Sequence, residues 1–414
     1  MRYQMLDVVR TASLPMVAVL QAAHKYSSSD LHPLSDTRLG RTRSAILESA
    51  VRLIKHYPKQ GFEYGTIEAD GRKYHIKEDV AVAKPFANLL HFSHIASEGN
   101  PKVLFVPALS GHHATLSEDT FREFLPDHDV YVADWLDARD VPVSDGRFGF
   151  EEYVAYVIEF LEHIGPDTHV IGLCQASVPA LTAVAYMAAK KHACRPPSLT
   201  IMAGPVDTSV NKNRINKVSE YLSSSVLNLS HIHAAPIGYK GVGRKVYPGI
   251  MQLAGFIMLN PSLHIDAHVQ FAKDVMAGDH EAADRHRDFY DEYFAMLDTT
   301  AEFYLETLER VFFDQHLAKG MMKYQGETVD CAAISDIFLL TVEGSKDNMC
   351  SPGQTRAAHD ICSGLAEEYK EDYMQEGVGH YGVFNGSKYR QEIAPRVKAF
   401  IQRAEKSQKS KAAA

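Results

Sequence analysis

The feature that most constrains the fold is an alternation of short apolar runs with amphipathic helices between residues 103 and 203. Val103 to Val106 is apolar and ends at Pro107. Val130 to Ala133 ends at Asp134, Thr168 to Leu173 runs into Cys174, and Leu199 to Ala203 closes the series. Between these, Phe150 to His163 places Tyr153, Val154, Val157, Ile158 and Leu161 at helical spacing. Gln175 to Lys191 is an alanine-rich helix whose Pro179 falls near the first turn, where a missing N–H costs little. Strands that read as unbroken apolar runs and are joined by helices predict a parallel sheet covered on both faces.

The alternation stops near Pro205. To about Cys331 the chain is aromatic and mostly helical in pattern; a strand returns at Ile337 to Val342, and Ser387 to Arg403 reads as a last helix. Residues 205–335 are therefore predicted to be a helical cap inserted over the carboxyl edge of the sheet, where ligands bind in such folds. Upstream, Ser44 to Lys55 puts Leu47, Ala50, Val51 and Ile54 on one helical face, and Gly65 to Ile76 reads as a hairpin turning at Asp70-Gly71. The predicted organisation is a helical segment over 1–60, a core in two parts (61–204 and 336–403), the cap between them, and a polar, basic, disordered tail over 404–414.

The net charge of −9 argues against a nucleic-acid partner, which needs a basic surface. The five cysteines are scattered and form no CxxC pair, which excludes a zinc-ribbon or redox motif and suits a reducing compartment. Thr11 to Ala23 is apolar, but Pro15 interrupts it, Asp7 lies between Arg2 and Arg10, and no A-x-A site follows. It is read as a helix of the mature chain and not as a signal peptide. No transmembrane helix is expected.

Three segments carry chemistry. In VIGLCQASVPAL, Cys174 stands between a strand and a helix in the pattern G-x-C-x-A, a relative of the G-x-S-x-G nucleophile elbow. Such a turn exposes the thiol at a helix N-terminus, which favours the reactive thiolate, although a buried structural cysteine is equally common. In FLLTVEGSKDNMCSPG, Asp347 follows a strand end, where a carboxylate can orient an imidazole; Gly-Ser-Lys-Asp is also a good plain turn. In EGVGHYGVFNG, His380 sits among glycines before the last helix and can exchange a proton near neutral pH. Together they follow the order nucleophile, acid, base of the α/β-hydrolase fold. The expected oxyanion donors are the backbone N–H of Gln175 and one at Leu109 or Ser110 in FVPALSGHH. Asp207 is a rival acid. His264 with His268, and His231 with His233, lack a carboxylate-backed metal motif, so neither metal nor cofactor is expected.

The stretches GLCQASVPAL, YVADWLDARDVP, GSKDNMCSPGQT and GVGHYGVFNGSKYR resemble the intracellular poly(3-hydroxybutyrate) depolymerases, and the resemblance runs over most of the chain. It implies an α/β-hydrolase fold, a Cys-Asp-His triad falling on Cys174, Asp347 and His380, and action in the cytoplasm at the surface of storage granules. The related polyhydroxyalkanoate synthases have G-x-C-x-G where this chain has Ala176, which favours depolymerase over a synthase-like acyltransferase or thioesterase. A catalytically dead granule-coat protein is the third alternative, and the presence of all three residues speaks against it.

Overall fold

The computed structural model describes residues 2–413 except 30, 70, 214, 215 and 217–229. Its central sheet has eight strands: β1 (Lys77–Ala83), β2 (Ala87–Ser93), β3 (Lys102–Val106), β4 (Asp129–Trp135), β5 (Thr168–Leu173), β6 (Ser198–Met202), β7 (Phe338–Gly344) and β8 (Lys370–Gln375). Their order across the sheet is β8-β7-β6-β5-β3-β4-β2-β1. β3 to β8 pair in parallel, while β2 joins β4, and β1 joins β2, antiparallel. This is the α/β-hydrolase fold. The main helices are α1 (Arg2–Ser27), α2 (Arg38–Ile54), α3 (Phe150–Ile164), α4 (Ser177–Ala189), α5 (Gly249–Leu259), α6 (Pro261–Ala277), α7 (His280–Tyr293) and α8 (Ala394–Ala413).

Every residue of β5 and β7 is buried, which is why both read as mainly apolar runs. Within β3, Leu104 and Val106 face the α3–α4 side, while Val103 and Phe105 face the α8 side, as the two-residue period of a strand requires. The helix α8 lays Val397, Phe400, Ile401 and Ala404 on the sheet, all buried. The helix does not stop there: residues 404–413, expected to be disordered, continue it to Ala413, propagated from that docked stripe.

The insertion after β6 divides its work. The helices α5, α6 and α7, with a small antiparallel sheet of His233–Ala234, Lys245–Tyr247 and Thr299–Thr300, form one group. From residue 301 the chain instead returns to the helix layer of the core. Phe303 stacks on Tyr153 at 5.3 Å and Tyr324 meets Tyr186 edge-on at 4.7 Å, so these aromatics are core and not cap. The N-terminal helices dock on the cap: α2 lies along α6, and Arg287 holds Glu48 with two bonds of 2.6 and 2.7 Å. Tyr3, at the start of α1, donates 2.6 Å to Asp298. By length and composition Tyr3–Ser27 is sufficient to cross a membrane, which the interrupted apolar run of the sequence did not suggest.

Candidate active site

The turn from β5 into α4 puts Cys174 in the left-handed region, at φ 53°. A non-glycine residue rarely holds that conformation, and such strain gathers at functional sites. The turn closes only because its neighbours are small. A Cβ on Gly172 would lie 3.3 Å from both Ala180 Cβ and Ser177 Cα; one on Gly204 would lie 2.2 Å from Ser177 Cβ. The sulfur is thereby held half-buried at the head of α4.

His380 reaches it from the loop after β8. Its Nε2 lies 3.2 Å from Cys174 Sγ, and its Nδ1 lies 2.7 Å from Asp347 Oδ2. Asp347 is fixed in turn: its Oδ1 accepts from the backbone N–H groups of Met349 at 2.8 Å and Cys350 at 2.9 Å. The loop carrying it is tied down by Glu343, at the end of β7. The two oxygens of this buried carboxylate accept from the backbone N–H groups of Gly353, Thr355 and Arg356 at 2.8–3.2 Å. Burial opposes a charge on His380, but the negative charges of Cys174 and Asp347 outweigh it and raise its pKa to about 10. The imidazole is therefore protonated at neutral pH.

The loop after β3 supplies the facing wall. Ser110 lines a cavity of about 80 Å³ with His112, His113, Phe256 of α5, Phe289 of α7 and His380. The Leu109 N–H, an expected oxyanion donor, is engaged: it donates 3.1 Å to Oε1 of the Gln175 side chain. Residue order could point to the backbone of Gln175 but not to where its side chain goes.

Residues 203–405 match the family described as "PHB de-polymerase C-terminus". Over that stretch the chain belongs to the poly(3-hydroxybutyrate) depolymerase family. Membership makes this depolymerase-family chain an ester-cleaving hydrolase. The matched residues include Asp347 and His380; Cys174 lies before them. No curated protein matches the sequence. Similar solved structures include a monoacylglycerol lipase of Paleococcus ferrophilus, at 12% identity and TM-score 0.43, with 73% of this chain and 96% of that chain covered. A carboxylesterase structure from the thaumarchaeon Nitrososphaera gargenis has 12% identity and TM-score 0.45 (82% and 99% covered). A bacterial membrane phospholipase A has 12% identity and TM-score 0.44 (98% and 99% covered). At that distance they say nothing of this depolymerase-family chain's substrate.

The other candidates lie elsewhere. Asp207 caps its own turn, its Oδ1 accepting from the N–H and hydroxyl of Ser209 at 2.9 and 2.6 Å, and no bond joins it to His380. His264 pairs with the Tyr290 hydroxyl at 3.1 Å and His268 with His286 at 3.2 Å. His231 lies 2.8 Å from the Ser230 hydroxyl, and His233 sits in the small sheet. Among the described residues no group of three His, Cys, Asp or Glu could hold a metal ion.

Proposed function

We propose that the chain is a poly(3-hydroxybutyrate) depolymerase that opens storage polyester through a thioester on Cys174. The observation that carries this reading is the line from Cys174 Sγ through His380 to Asp347, with links of 3.2 and 2.7 Å, in a chain of this family. Cys174, its proton already held on His380 Nε2, attacks the ester carbonyl carbon as the thiolate. The oxyanion that forms is held by the backbone N–H groups of Gln175 and Ser110, and by that of Leu109 once the Gln175 side chain swings aside. Collapse of the tetrahedral adduct breaks the ester C–O bond, and His380 protonates the departing alkoxide. A water then passes a proton to His380 and attacks the thioester, releasing 3-hydroxybutyrate or a short oligomer and restoring Cys174. Asp347 holds the Nδ1–H tautomer and stabilises the imidazolium without taking the proton. These steps call for no cofactor.

The substrate of this reading is a water-insoluble granule in the cytoplasm. Exposed apolar side chains on α1 (Met5, Val8, Val19) and on α5 (Ile250, Met258) support contact with such a surface. The sequence of α5, GIMQLAGFIML, contains no charged residue, which suits a neutral polymer more than an anionic lipid surface. The test is release of soluble hydroxybutyrate from amorphous granules by the purified protein. Cys174→Ala is expected to be slower by on the order of 10⁴-fold or more. Equal release by both proteins would refute the reading.

A further inference from the structure

Two cavities lie along the carboxyl edge of the sheet, and His113 lines both. The one that His380 lines is about 80 Å³. A water's share of the liquid is roughly 30 Å³, so this cavity has room for an ester group and little more. The other is about 580 Å³, beside the end of β4, between Trp135 on the sheet and Met296 of the insertion. That falls within the usual size of a small-ligand pocket, roughly 300–1,000 Å³.

His113 is 8% exposed, and its Nδ1 has no hydrogen-bond partner among the described residues. Its neighbour His112, 7% exposed, lines the smaller cavity and leaves Nε2 without a partner there. Burial lowers both pKa values, to about 4 for His112 and about 3 for His113, where Lys59 adds to the effect. Both rings are thus neutral at pH 7. A buried polar nitrogen left open costs stability, and a turn of either ring toward its cavity would let a ligand supply the missing partner.

The wall of the larger cavity suits one class of ligand. Lys59, Arg139 and Lys240 are balanced by Asp137, Asp140 and Asp145, so it is formally neutral. It offers N–H donors beside apolar surface from Trp135 and Val141. A polyester chain has ester oxygens that only accept, separated by aliphatic carbon, and carries no charge along its length. We propose that this cavity is a second subsite that holds the polyester segment next to the scissile ester, with His113 donating to the ester at the junction. The proposal rests on the reading of Cys174 as the polyester-cleaving nucleophile.

The experiment compares kcat/KM for a linear 3-hydroxybutyrate trimer methyl ester with that for p-nitrophenyl butyrate. It uses the wild-type protein, Leu136→Trp, Lys240→Trp and His113→Phe. Leu136 is half-buried in the cavity wall; Lys240 is at the exposed rim, so its variant remains informative where Leu136→Trp fails to fold. Each bulky variant is expected to lower the trimer-to-butyrate ratio roughly tenfold, chiefly through KM. His113→Phe keeps the ring but removes its nitrogens and is expected to lower the same ratio. A ratio unchanged in both Lys240→Trp and His113→Phe, with Cys174-dependent cleavage intact, would overturn the subsite alone. Cleavage that persists in Cys174→Ala would overturn the underlying reading, and the subsite with it.

Discussion

The chemistry of the site rests on one imidazole held between two negative groups. Removing the Cys174 sulfur takes away one of the two charges that raise His380 to about 10. In Cys174→Ala, His380 is therefore expected to titrate below its wild-type value, as read from its imidazole NMR shifts; an unchanged midpoint would mean that sulfur and ring do not interact. The sign for stability follows. The folded pKa lies above the unfolded value of about 6.5, so the stabilisation is complete below that pH and is lost as pH rises toward about 10. The acid can be tested at the same scale. Asp347→Asn is expected to lower kcat by about 10⁴-fold, while Asp207→Asn, whose carboxylate serves only its own turn, stays near normal. The reverse pattern would move the acid to the earlier strand.

At the scale of elements, Glu343 links sheet to site. It is a buried strand residue whose carboxylate gathers backbone N–H groups of the loop that follows Asp347. Glu343→Ala leaves those donors buried without their charged acceptor. It is expected to cost about 3 kcal/mol of stability by denaturant unfolding, together with a loss of activity. No change in either quantity would show that the loop holds itself. Nothing in the sequence distinguished this glutamate, because its role depends on a loop path. The same is true of the Gln175 side chain, and of His112 and His113 with their open nitrogens. Cys174, Asp347 and His380 were legible because each stands in a short loop of small residues at or near a strand end. The inner strands β3 to β7 were legible as mainly apolar runs, while β2, ANLLHFS, went unread. The edge strand β8, KEDYMQ, was not, since its first three positions, none of them buried, carry charge, and β1, KEDVAVA, begins in the same way. The aromatic stretch after residue 301 read as cap, but its rings fill the layer over α3 and α4.

At the scale of the whole molecule, a cavity of about 80 Å³ beside His380 is lined by Phe256 and Phe289, while other side chains of α5 face outward, Ile250 54% and Met258 73% exposed. A helix without charged residues that leaves such side chains outward is suited to contact with an apolar surface. On the proposed function, that surface is the polymer from which the chain to be cut is drawn. All of this depends on Cys174 carrying the acyl group. The most direct measurement is peptide mass spectrometry of the protein quenched in acid during turnover of a 3-hydroxybutyrate oligomer. A hydroxybutyryl adduct confined to the peptide that contains Cys174, lost as product appears and absent from Cys174→Ala, is the expected result. Steady turnover by a protein whose Cys174 never carries an acyl group would contradict it.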